Sequence, residues 1–285
     1  MVPTLKKPKT KSQRPKIPHK IKEIFKNLNF WFAVLLVDIF ILNFNGYAQS
    51  PDYIRVSILK DVSSFRLKIK GLYEVVDLKN NKIFYQGKNL NTTVSVSKEG
   101  IALGPIKIDA VKVLIKSDDP YLVMVNGRIL RGNIILLKTN NLRLSVINHI
   151  KLEDYVKGVL YHEVSHYWPL EALKAQAVVV RTYALYQRQE NRQKDYDVTS
   201  DIYSQVYGGK TSERYRTNIA VDETEGIILT HQGRIFPTYY HATCGGYTED
   251  ASVLWDVDIP PLKGVVCNFC KDSPHFSWQE VISIK

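Results

Sequence analysis

The stretch KLEDYVKGVLYHEVSHYWPLEALKAQAVVVRTYALYQRQ, residues Lys151–Gln189, decides how this chain reads. Leu152, Tyr155, Val156, Val159 and Leu160 recur at helical spacing and mark one buried face. Pro169 then breaks the pattern and suits the first turn of a second helix. The buried stripe of that helix is Leu170, Leu173, Ala177, Val180 and Ala184, and its alanines favour helix and close packing. Beside the joint stands Glu163, flanked in sequence by Tyr161, Val164, Tyr167 and Trp168. Withdrawing a carboxyl from water favours its protonated form, the state a general acid needs near neutral pH.

Upstream, residues 52–150 alternate or run apolar in short segments such as YIRVSIL, FRLKIKGLYEVVDL, AVKVLIK and NIILL. These are strand patterns. Asn80-Asn81, Glu99-Gly100 and Asn126-Gly127 punctuate them as turns, the last of the kind that closes a tight hairpin. Beyond Lys194 the pattern returns to short strands, including GIILTHQG and RIFPTYYHA, and then to a Cys-, Pro- and Asp-rich loop. The expected class is α+β: a β-rich amino-terminal module over 50–117, then a mixed domain over 118–285 with two adjacent helices packed on antiparallel strands. The boundary is placed at the acidic turn Asp118-Asp119-Pro120.

The formal charge of +11 is unevenly distributed. Residues 1–29 hold nine Lys/Arg and one acid, so +8 of it lies in a short tail. After Asp38 is counted, the rest has 30 bases and 26 acids, or +4. That mild excess suits an anionic polymer such as a wall glycan, and no nucleic-acid partner is read from it. The tail leads into the apolar run FWFAVLLVDIFIL, residues 30–42, and a small-residue site at Ala48. Residues 1–49 therefore read as an export signal or a membrane anchor, which places the protein outside the cytoplasm. With 45% apolar and 24% charged residues the remainder is globular in composition.

Three constellations could carry chemistry. His162-Glu163-Val164-Ser165-His166 fits H-E-x-x-H, a zinc-peptidase pattern that requires both His on one continuous helix. Pro169 argues against such a helix, and no third ligand follows. His241, Cys244, Cys267, Cys270 and His275 have the composition of a structural zinc site, with a disulfide as the alternative in an exported protein. Finally, Lys174, Gln176 and Arg181 on the second helix, with Ser204, Gln205 and Tyr207 in DIYSQVYGG, form a polar set. Arg181 lies within the apolar run AVVVRTYAL, where an Arg is expected to be paired or to face a ligand.

Taken together, LEDYVKGVLYHEV, PLEALKAQAVVVRTYAL, TSDIYSQVYGG, AVDETEGIIL and YYHATCGGYTEDASVLW resemble the stage II sporulation protein D (SpoIID/LytB-like) domain over residues ~120–280. The resemblance implies a peptidoglycan lytic transglycosylase or an enhancer of wall amidases, with glycan strands and a wall hydrolase as partners. It assigns the catalytic acid to Glu163, and glycan-groove positions to Lys174, Gln176 and Arg181. It implies no cofactor for the chemistry and a structural zinc near Cys244. The family's small residue and Met-Pro after the catalytic Glu are replaced here by Val164-Ser165. Many members also continue into a Gly- and His-rich tail, so a chain ending at Lys285 reads as a shortened member or a fragment. In such a mechanism one carboxyl protonates the bridging oxygen of the MurNAc–GlcNAc bond. The same group then serves as base while the sugar's own 6-hydroxyl closes a 1,6-anhydro ring. A two-carboxylate glycosidase would need a second acid. Glu171 is the nearby candidate, but at the start of a helix it reads better as dipole compensation.

Overall fold

The computed structural model describes residues 53–117 and 123–283. The leader and apolar run of residues 1–49, and the turn at 118–120, lie outside the described residues. Among the described residues no helix is long and apolar enough to cross a membrane.

The described residues up to Lys151 are mostly strands, as their alternation dictates: β1 (Tyr53–Val62), β2 (Ser64–Asp77), β3 (Ile83–Val96), β4 (Ile101–Leu103), β5 (Ile106–Ile108), β6 (Lys112–Ser117), β7 (Val123–Val125), β8 (Arg128–Leu130), β9 (Asn133–Thr139) and β10 (Arg143–Lys151). Two helices follow, α1 (Leu152–Glu163) and α2 (Leu170–Glu190), then β11 (Val198–Thr199), α3 (Tyr215–Asp222), the two-residue strands β12 (Thr230–His231) and β13 (Arg234–Ile235), and the short α4 (Ala251–Trp255). The large sheet runs β11-β1-β10-β9-β6-β2-β3-β4-β5. All of its pairs are antiparallel except β1 with β11. The class is α+β, with the helices on the sheet as expected.

A bulge in β2 lets one strand serve two neighbours. The register slips between Ile69 and Leu72, where Gly71 and Asn89 both have positive φ, and the Asn89 side chain accepts the Gly71 N–H at 2.9 Å. The first half of β2 pairs with β7 and the second half with β6. Strands from either side of the expected 117/118 boundary therefore share one sheet, and β1 pairs with β10 along its length. Asn126 and Gly127, both with positive φ, close the β7–β8 hairpin.

One face of this sheet meets the helices. Val56, Ile115, Leu136, Val146 and Ile150 join Tyr155, Val156, Val159 and Leu160 of α1 in a single buried cluster. Leu173, Ala177, Val180 and Ala184 of α2 and Ala220 and Val221 of α3 complete it. Both predicted helical stripes are the buried ones, with Leu170 partly buried at the start of α2. Beyond Lys194 the expectation of short strands holds only for β11, β12 and β13. The eight-residue α3 went unforeseen, since two turns are too few to establish a period, and residues 236–241 are irregular.

Candidate functional site

β10 passes directly into α1 at Lys151, and Glu153 and Asp154 in the first turn suit the positive end of the helix. Glu163 is the last helical residue. The chain leaves the helix at Val164, which turns extended and is itself buried. That exit delivers the Glu163 carboxylate to the floor of a cleft of ≈ 390 Å³.

The far wall of this cleft comes from two distant segments. One is the loop 199–208. Asp201 accepts from the Thr199 hydroxyl at 2.7 Å and from the Tyr203 N–H at 3.1 Å. This side-chain turn leaves Ile202 82% and Tyr203 84% exposed at the cleft mouth. The other segment is Thr238–Tyr240, with Trp255 of α4 behind it. The Tyr239 and Trp255 rings stack at 4.0 Å with 16° between planes.

Glu163 is held from the 199–208 loop. Its Oε1 accepts the Val206 N–H at 3.1 Å. The Tyr240 side chain lines the same cleft as Glu163 and Gln205. Gln205 is buried, accepts from the Tyr155 hydroxyl at 3.1 Å and donates to the Val180 carbonyl at 3.5 Å. Tyr155 stacks on Tyr207, whose hydroxyl donates to Asn148 of β10 at 3.0 Å. Hydrogen bonds and one ring stack thus link Asn148 of the sheet to Gln205, which lines the cleft beside Glu163. Burial, reinforced by the Glu163 carboxylate, pushes the Tyr240 phenol far above its usual range, and burial does the same to Tyr155. Both remain neutral hydrogen-bond donors across the physiological range.

These facts revise the sequence expectations residue by residue. The aromatics that sequence places beside Glu163 are not its surroundings: Tyr167 is 80% and Trp168 48% exposed. The cleft's aromatics are instead Tyr183, Tyr203, Tyr239, Tyr240 and Trp255. Ser204 and Gln205 do line the cleft. Tyr207 does not; it is a core residue whose ring fills the space above Gly158, where a Cβ would collide with it. Arg181 is fully buried and binds Glu153 through both carboxylate oxygens, at 2.8 and 2.7 Å, and the Ile227 carbonyl at 3.1 Å. It straps α2 to the start of α1 and to the 226–229 segment, away from the cleft. Lys174 pairs with Glu171 at 2.8 Å and Glu223 at 2.7 Å, hydrogen bonds that raise its pKa. The Gln176 amide nitrogen is buried without a hydrogen-bond partner. Neither of these two lines the cleft.

The H-E-x-x-H pattern is broken by the helix end. His162 bonds the Ser212 hydroxyl at 2.6 Å, while His166 lies beyond α1 and packs on Tyr161 and Tyr167. Among the described residues, the ligand atoms that converge belong to Cys244, Cys267 and Cys270, all within 4.8 Å of one another. His241 and His275 are not in that group, although His241 lines a cavity beside Cys244. Gly245 and Gly246, both with positive φ, turn the chain at Cys244, and the Cys267 N–H donates to the Gly246 carbonyl at 2.9 Å. A hydrogen bond from the Gly246 backbone is the main cause that draws the Cys244 thiol below its usual range. Cys244 and Cys270 sulfurs stand 3.6 Å apart. Bonds of ~2.3 Å to one tetrahedral zinc would space sulfurs ~3.8 Å apart, whereas a disulfide holds them at ~2.05 Å. The three grouped sulfurs have the donor chemistry of three thiolate positions of a metal site.

Comparison with known proteins adds a match to a family model over part of the chain. Residues 140–231 match the model described as SpoIID, stage II sporulation protein. The chain is similar to an uncharacterised protein of Brachyspira hyodysenteriae, 34% identical over 78% of this chain and 60% of that one. It is also similar to the amidase enhancer of Bacillus subtilis, 36% identical over 45% of this chain and 17% of the relative. Stage II sporulation protein D of Bacillus amyloliquefaciens is 31% identical over 48% of this chain and 44% of its own length. The chain thus spans less than two thirds of each of these relatives.

Proposed function

Since the chain carries a SpoIID-family domain, we propose that it works on the cell wall as a peptidoglycan lytic transglycosylase, with Glu163 as its acid and then its base. One observation carries the reading: Glu163 is the only Asp or Glu lining the cleft among the described residues. A cleft with a single carboxyl suits the route in which the substrate's own 6-hydroxyl is the nucleophile, and not one that needs two carboxylates. Protonated Glu163 gives its proton to the bridging oxygen as the glycosidic bond breaks. The carboxylate so formed takes the proton of the 6-hydroxyl as that oxygen attacks the anomeric carbon and closes the 1,6-anhydro ring. The enzyme returns to its starting state. The Val206 N–H, bonded to Oε1, holds the carboxyl in one orientation through both transfers.

Zinc fits this reading as a structural group held by Cys244, Cys267 and Cys270, where it would cross-link the 244–246 turn to the 267–270 loop. The basic leader and apolar run of residues 1–49 suit export to the wall, where glycan strands are met.

Incubation of the full chain with purified wall glycan, with and without stem peptides, tests the proposal by mass spectrometry. We expect 1,6-anhydro products from the wild type and none from Glu163→Gln; products that persist in Glu163→Gln would remove Glu163 as the acid. The relative named amidase enhancer supports a second reading, a non-catalytic wall-binding partner of an amidase. In that case no anhydro product forms, and amidase stimulation survives Glu163→Gln.

A further inference from the structure

Trp255 lines two cavities at once: the Glu163 cleft and a neighbouring one of ≈ 580 Å³ that extends toward Cys244. Tyr239 and Tyr240 also border both. With Tyr239 stacked on one side of it, the indole keeps 50% of its surface exposed. We propose that Trp255, backed by Tyr239, is a stacking platform for a pyranose ring, extending the glycan groove past the Glu163 cleft by at least one further sugar position. The inference rests on the glycan reading of that cleft and adds to it a specific residue and a direction.

The platform is built, and not merely exposed. Asp250 caps α4 by accepting the Ser252 N–H at 2.8 Å. Lys263 binds Asp250 at 3.1 Å and Asp258 at 2.6 Å, so the segments on both sides of α4 are tied to one ammonium. Asp256 turns left-handed immediately after Trp255 and stops the helix there. Opposite, the Thr248 N–H donates to the Val265 carbonyl at 2.9 Å and the Val265 N–H to the Thr248 hydroxyl at 2.8 Å. These contacts set α4, and with it Trp255, beside a cavity whose lining includes Thr243, Thr248, Glu249 and Lys263. An apolar ring face with hydroxyl- and charge-bearing neighbours is the complement of a pyranose, which has an apolar C–H face and a hydroxyl edge. Because the two cavities adjoin across Tyr239, Tyr240 and Trp255, the occupant is the next unit of the same strand.

The test uses the full chain carrying Glu163→Gln, so that nothing is turned over, titrated calorimetrically with N-acetylglucosamine oligomers. In this background the hexamer should bind about tenfold more tightly than the trimer, the scale of one stacked aromatic contact. Adding Trp255→Ala should abolish that gain, and Trp255→Tyr should keep most of it. Trp255→Leu preserves packing on Tyr239 without the aromatic face, and it should behave like the Ala variant at an unchanged melting temperature. Equal hexamer-to-trimer ratios with and without Trp255, a retained gain in Trp255→Leu, or no gain in the parent would each overturn the platform. Binding of peptide-bearing fragments in preference to bare oligomers would also overturn it. Failure of the transglycosylase reading shows separately, as absent anhydro products from the chain with Glu163 intact.

Discussion

Arg181 separates two accounts of this domain, since the family resemblance puts it in the glycan groove and the fold makes it a strap. Its guanidinium is wholly buried and forms a bidentate pair with Glu153, whose side chain is 23% exposed, and also donates to the Ile227 carbonyl. Removing one partner of such a pair leaves a largely buried carboxylate uncompensated, at ~3–5 kcal/mol. For a folded region of this size each kcal/mol moves the melting temperature by ~2–4 °C. Arg181→Ala should therefore melt on the order of 10 °C lower, as followed by circular dichroism. Oligosaccharide affinity, measured well below the new midpoint, should change little. Replacing both partners by apolar residues, Arg181→Met with Glu153→Leu, should recover much of the loss, because no buried charge is then left alone. An Arg181→Ala protein that melts like the wild type yet no longer binds glycan would refute this reasoning and return Arg181 to the groove.

Other outcomes follow from the same contacts. Tyr207→Phe leaves the Asn148 side-chain oxygen without its buried donor, and urea denaturation should show a loss of ~1–3 kcal/mol. Gly158→Ala, which drives a Cβ into the Tyr207 ring, should cost ~1–3 kcal/mol, and pairing it with Tyr207→Leu should reduce that cost. Burial holds the pKa of His149 below its ordinary 6.5, so the unfolded chain takes up that proton at higher pH than the folded one does. The stability this residue supports is full above pH 6.5 and falls as the pH drops below it. The slope of urea midpoint against pH should flatten in His149→Phe, and an unchanged slope would clear His149. Elemental analysis of purified protein should find about one zinc per chain, lost in Cys267→Ser; retention of zinc in that variant would rule the thiolate set out.

What sequence alone determines here is periodic. The strand alternation upstream of Lys151, the two helical stripes and the break before Pro169 follow from spacing along the chain, because burial on one face imposes that spacing. Glu163 could be singled out as well, since the helix must end near it and deliver it to a loop. Pairing across long separations was not legible. Arg181 in an apolar run reads the same whether its partner is a glycan or Glu153, and only packing α1 against α2 decides. Tyr207 looked polar until the fold set it over Gly158. The cleft's aromatics come from residues 183, 203, 239, 240 and 255, a set with no period, because α2, the 199–208 loop, the 238–240 segment and α4 each supply part of it. Three cysteines announce a cluster by composition, but their convergence within 4.8 Å, without His241 or His275, is set by how the 244–246 turn meets the 267–270 loop. One-dimensional spacing records which face is buried, while the identity of the neighbours on that face is a property of the tertiary structure.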